Sequence, residues 1–177
     1  MAGIEAIKTT YVEDPVSSVT FSSIPQTYEH LQIRMSGGFD DSGNGGHQVY
    51  VRFNGITGGQ YSSTMFTAYS GTNFNGDRYT GFTYVYGAGG IMGPLARRPE
   101  FGVSLMDIVD YTNPFKRQMM MSIQGYAPGY DGGSLMRMGG GFVDSNAGLA
   151  ALTTILLYPP GGNFVRGTSI SLYGVND

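Results

Sequence analysis

The chain reads as an all-β protein, an antiparallel jelly-roll or β-sandwich with very little helix. Four observations predict this. Apolar and polar residues alternate at period two in one segment after another, as in His47 to Phe53, where Val49, Val51 and Phe53 share a face. Glycine accounts for 29 of 177 residues beside 13 Tyr and 10 Phe, which suits short aromatic-rich strands joined by many turns. It follows no Gly-X-Y period, so collagen is excluded. No segment sustains an apolar period of 3.6 with caps at its ends. Turn signals roughly 8–12 residues apart divide the chain into about nine or ten short strands.

In order, residues 1–14 read as a leading extended arm, with Ile4, Ala6, Tyr11 and Val12 available to pack, and residues 15–177 as one β-sandwich domain. Val19 to Met35 reads as a hairpin: Val19 and Phe21, a turn at Ile24-Pro25, then Leu31, Ile33 and Met35 on one face. The far end supplies a matching unit, Thr154 to Tyr158 and Ile170 to Tyr173, and the two ends are expected in one sheet. Ser36 to Gly46 is an exposed loop, and Asn54-Gly55 is a tight turn. Strands are expected over Gln60 to Tyr69 and Gly81 to Tyr86 with a loop between them, followed by a long irregular connection from Gly87 to Pro99. Phe101 to Tyr111, Arg117 to Tyr126, Ser134 to Phe142, Leu152 to Tyr158 and Thr168 to Val175 complete the strands.

Composition narrows the function. At 177 residues and 41% hydrophobic the chain can bury a core without staples, and disorder is excluded. Charged residues make up only 13%, which suggests either a surface partly covered by neighbours or one made largely of glycine loops. The net charge of −3 and the absence of clustered basic residues argue against nucleic acid. Zero cysteines remove disulfides, thiolate metal sites and thiol catalysis. No run is long and apolar enough for a signal peptide or a membrane span.

Chemistry-bearing patterns are sparse. Asp40, Ser42 and Asn44 imitate the start of a calcium loop, but the closing carboxylate position falls on Val51, so a solvated turn is expected. Asp107 and Asp110 stand three apart, on opposite faces of a strand, and suit a turn better than an acid–base pair. His30 and His47 each begin a strand, with no nucleophile motif to serve, and are expected to be structural. The aromatics Tyr61, Tyr69, Phe74, Tyr79, Phe82, Tyr84 and Tyr86 could form a sugar platform or ordinary cross-strand packing. In Met119-Met120-Met121 some side chains must face away from the core, as an adaptable contact surface would require.

Four stretches together resemble a family: TYVEDPVSSVTFSSIPQTYEHLQIR, VYVRFNG, DIVDYTNPFKRQMMMSIQGY and ILLYPPGGNFVRGTSISLYGV. They are similar to small virion proteins of tailed, cyanophage-like bacteriophages. The front motif of that group corresponds to Ile24, Pro25, Tyr28, His30, Leu31 and Ile33. The closing motif corresponds to Gly161 or Gly162, Phe164, Gly167, Thr168, Ile170, Leu172, Tyr173, Gly174 and Val175. Tyr61 to Pro99 matches least. The resemblance implies a jelly-roll capsid cement or decoration protein on the outer surface of the virion, bridging and stabilising capsomers. Its expected partners are the major capsid protein and further copies in a homotrimer. Enzymatic activity, cofactor, nucleic acid, membrane and small-molecule substrate are not expected. Contacts are expected from Ile4, Tyr11, Val12, Arg97, Arg98 and Met120. The alternative is a tail-fibre or receptor- and glycan-binding tail component.

Overall fold

The two ends of the chain pair with each other, and that pairing sets the architecture. In a computed structural model, which describes residues 3–40, 46–69, 74–92, 101–126 and 135–176, β2 (Val19–Phe21) lies antiparallel to β11 (Ile155–Tyr158). β3 (His30–Gly37) lies antiparallel to β12 (Ser169–Asn176). The remaining strands are β1 (Gly3–Tyr11), β4 (Gly46–Phe53), β5 (Tyr61–Tyr69), β6 (Phe74–Phe82), β7 (Val85–Met92), β8 (Gly102–Val109), β9 (Met119–Tyr126) and β10 (Leu135–Val143). They form an eight-stranded sheet ordered β1-β12-β3-β8-β9-β10-β5-β6 and a four-stranded sheet ordered β2-β11-β4-β7.

Every pairing is antiparallel, and the chain crosses repeatedly from one sheet to the other. The pair β2·β11 encloses β4·β7 in the small sheet, while β3·β8 and β10·β5 enclose β5·β6 in the large one. This nesting is the roll of a jelly roll, for which eight strands suffice. The meander β8-β9-β10 and the strands β1 and β12 enlarge one sheet beyond that number.

Several sequence expectations are corrected. Val19 to Met35 is not a hairpin, because β2 and β3 lie in different sheets. Its proline turn is a corner of the sandwich: Ser23 takes φ 53°, Ile24 is buried, and Tyr111 Oη donates to the Pro25 carbonyl. Likewise the two chain ends share both sheets rather than one. Asn54-Gly55 does turn tightly, with φ 48° and 68° and a bond from Ile56 N to the Phe53 carbonyl, yet it delivers the chain into the other sheet. The expected loop between Tyr69 and Gly81 contains β6, and the expected irregular connection after Tyr86 contains most of β7. Neither strand shows the regular apolar alternation of the others in its sequence. β6 is an edge strand, exposed at most positions and held by its backbone ladder to β5. β7 is glycine-rich because the sheets approach closely there: a Cβ on Gly89 would lie 2.8 Å from Met106 Cε.

The stretch expected as a free arm is extended but docked. β1 pairs with β12 from Gly3 to Tyr11, with a bulge between Ala6 and Lys8, and stays exposed at most of its positions. Among the described residues, helix is confined to one 3-10 turn at Asn146–Gly148. Between the sheets lie Phe21, Phe39, Phe53, Tyr61, Tyr111, Met106, Met120 and Phe164 among other fully buried side chains. Phe164 ties the closing segment to the start, bridging the backbone at both Val16 and Phe39. Phe164→Ala should therefore cost about 3–5 kcal/mol in urea unfolding, because it leaves a cavity at a fully buried site (0% exposed). Phe115→Ala, at a position 88% exposed, should stay within about 0.5 kcal/mol. Equal losses at the two positions would contradict this packing.

Candidate functional site

The candidate site grows out of the alternation along β9. Met119, Met121 and Ile123 point outward, while Met120, Ser122 and Gln124 are buried between the sheets. Cross-strand register carries the outward set across the eight-stranded sheet. One row runs Arg34, Leu105, Ile123, Met138, Phe66. The next on one side runs Gln32, Asp107, Met121, Gly140, Thr64. On the other side it runs Ser36, Val103, Gly125, Met136, Ala68, Phe74. The centre of this outer face is thus a continuous apolar stripe, and the Phe66 and Phe74 rings stack at 5.7 Å. A soluble monomer seldom leaves so broad an apolar area bare unless it contacts something.

Charge on this face lies at its margins, in Arg34 and Asp107 on β3 and β8 and in Arg78, opposite Thr64, on the edge strand β6. Arg34 Nε donates to Gln32 Oε1 at 2.8 Å, and Gln32 Nε2 donates to Asp107 Oδ1 at 2.8 Å. The Arg34 guanidinium also lies 4.8 Å from the Tyr173 ring centre. Beside the ridge made by Met138 and Phe66 lies a shallow hollow of about 570 Å³, lined by Ser36, Ser169, Ser171, Val103 and Ile123 among others. Such a surface can exclude water and accept apolar knobs; it places no nucleophile beside a base.

Polarity is reversed at this end of the sandwich. Ser122 Oγ and Gln124 Nε2 both donate to the Gly87 carbonyl, at 3.3 and 2.7 Å, and Ser63 Oγ accepts from Tyr86 N at 3.0 Å. The interior here is a hydrogen-bonded layer, which is why the methionines lie outside. Two expected contact residues are accordingly corrected. Met120 is 0% exposed and belongs to the core, whereas Met121 is 65% exposed. Val12 is also buried, at 2%. Ile4 and Tyr11 are exposed on β1, as a contact role requires. Arg97 and Arg98 lie outside the described residues. Met119 and Met121 enter the sequence reading only as part of an undivided run and Phe74 only among the aromatics, while Phe66, Val103, Ile123, Met136 and Met138 are not singled out as contact residues there. The polar Ser122 and Gln124 opposite Ile123 are the signal that could have found them.

Other candidates are occupied structurally. His30 Nδ1 accepts from Asp110 N at 3.0 Å, and the His47 side chain lies outside the described part of the structure. Asp107 holds Gln32, while Asp110 binds Asn113 and Lys116, so the two aspartates do not form an acid–base pair. The Lys116 hydrogen bond, and then Asn113, hold the Asp110 carboxyl below the usual range. Asp40 is held by Asn163, whose N and Nδ2 donate to its two oxygens at 2.6 and 3.0 Å; these bonds lower its pKa. Residues 41–45 lie outside the described part, and among the described residues no cluster of three His, Cys, Asp or Glu could hold a metal.

The tyrosines of the small sheet pack on one another. Tyr50 and Tyr84 stack at 3.9 Å and 9°, Tyr158 meets both edge-on, and Arg52 lies 4.8 Å over the Tyr158 ring while bonding Thr83. Burial raises the Tyr50 hydroxyl pKa and pushes Tyr158 up to about 12. These rings pack on one another across strands, and of the aromatics expected as a platform Tyr61 is fully buried while Phe74 is exposed.

No known family model matches the chain, and no curated protein does either. Among solved structures, the chain is compared with one described as the structure of infectious bursal disease virus Gt strain, at 9% identity and a TM-score of 0.10. That comparison covers 99% of this chain, which spans 42% of the other's length, and a likeness this slight carries no argument.

Two outcomes follow from the local chemistry. Because the folded Asp40 pKa is depressed, its contribution is complete above the ordinary carboxylate range and disappears as pH falls through the folded value. Asp40→Asn should therefore lower the denaturation midpoint at pH 7 and approach wild type as acid protonates the folded carboxylate; a gap that stays constant as pH falls would contradict it. The Tyr158 hydroxyl is buried and finds no partner among the described residues. Tyr158→Phe should be neutral or stabilising by up to about 1 kcal/mol at pH 7. It should also hold its stability further into alkali, since a raised tyrosine pKa makes the folded state lose ground above pH 10. A marked loss of stability at pH 7 would contradict this.

Proposed function

We propose that the chain is a structural virion protein of a tailed phage, a non-enzymatic cement or decoration protein on the outer surface of the capsid. The observation that carries this reading is the apolar outer face of the eight-stranded sheet, a surface suited to a life inside an assembly. The jelly-roll topology, the low charge content and the resemblance of the front and closing motifs to phage virion proteins support it. In this reading the partner is the major capsid protein, and copies of the chain act as a homotrimer. Binding across neighbouring capsomers stabilises the shell by mass action, because only the assembled state offers the composite site.

The capsid contact is assigned to β1. It is the terminal strand of its sheet, so its outer backbone edge is open to strand addition, and Ile4 and Tyr11 (57% exposed) stand clear of the core. Ile4→Glu with Tyr11→Glu alters that edge without touching buried groups. Co-sedimentation with phage heads lacking the protein should saturate near one subunit per major capsid subunit, or a simple fraction of it. The double variant should need about tenfold more protein for the same occupancy. A few copies per head, or none, would contradict the cement role and favour a tail position.

A further inference from the structure

From the outer face of the eight-stranded sheet we infer that its occupant is a second copy of this chain. Three features of the face select that partner. The first is area: eight large apolar side chains, each about half exposed, present on the order of 800 Å². That is roughly one partner's share of a standard interface.

The second is relief. The ridge of Met138, Phe66 and Phe74 stands on β10, β5 and β6, and the hollow runs from Ser169 and Ser171 on β12 across β3, β8 and β9 to Met136 on β10. Ridge and hollow therefore lie side by side on one face and meet at β10. A rotation axis parallel to the strands turns the ridge of one copy onto the hollow of the next, in two-fold or three-fold closure alike.

The third is charge. A symmetric contact sets a surface against its own copy, so an unpaired charge would meet its like. Here the centre of the stripe is uncharged, Arg34 and Asp107 are already linked through Gln32 within one chain, and Arg78 stands away from the centre, on the edge strand β6. Methionine adds tolerance, since its unbranched side chain adapts to a facing surface.

This inference deepens the homotrimer part of the reading above by naming the face that carries it, and it is independent of the capsid part, because no capsid is needed to measure it. Sedimentation equilibrium from micromolar to hundred-micromolar protein should show a reversible dimer or trimer. Met121→Glu with Met138→Glu should weaken association by about 100-fold, as expected for charges buried at an interface centre, while Thr20→Glu, exposed on β2 of the other sheet, should leave it unchanged. A second experiment does not depend on a disruptive variant. The chain has no cysteine, so Ser36→Cys and Met138→Cys can be mixed and treated with a short bis-maleimide. Cross-links between the two variants should dominate over those within either one. A monomer at all concentrations, or undiminished association in the glutamate variant, would overturn the inference. A solution monomer whose glutamate variant loses capsid binding would assign the face to the capsid protein instead.

Discussion

The structure depends on the antiparallel pairing of the first and last strands. β11 lies between β2 and β4, and β12 lies between β1 and β3, so the last segments of the chain are interior strands whose neighbours come from its first third. Phe164 sits fully buried between them and anchors both Val16 and Phe39. Without these pairs neither sheet closes over the core, and the strands between would have no second layer to pack against. Because the contacts span nearly the whole sequence, loop-closure entropy is overcome only late, and folding should be slow for a domain of this size.

That closure leaves a sandwich of unequal layers. Four strands cannot cover eight, so much of the large sheet must be finished in another way. Near the corner built by Asn54-Gly55, Phe53 and Tyr61 the core is aromatic and aliphatic. Toward the other end, around Gly87, it becomes a layer of serine and glutamine hydrogen bonds. The apolar residues of β9 and β10 lie on the outside instead. One sequence pattern thus serves two purposes, filling the core through Met120 and offering a contact face through Met121. The proposed assembly role rests on that division.

Much of the fold was legible because alternation and turn chemistry are local. Val49, Val51 and Phe53 lie on the buried face, and Asn54-Gly55 takes the positive φ values its residues favour. Sheet membership was not legible. A Pro25 turn reads the same whether it reverses a hairpin or rounds a corner, and only the distant partners β11 and β12 decide which. β6 and much of β7 went unread because Gly76, Asp77 and Gly89 are poor strand formers, and pairing overrides that preference. The contact face was half legible. Met119-Met120-Met121 showed that some methionines must leave the core, but a run apolar in both registers does not say which. Burial of Ser122 and Gln124 settles it.

Methionine oxidation read by mass spectrometry tests the central claim most directly, because the core and the contact face carry the same side chain. With dilute protein and limiting peroxide, Met119, Met121, Met136 and Met138 should oxidise readily, while Met106 and Met120 resist. At high concentration, or on the phage head, the first four should become protected as the face is covered. Oxidation of Met120 as fast as Met121 would contradict the alternation on which the site is built. Unchanged oxidation of the four outer methionines at every concentration and on the head would contradict their role as a contact surface.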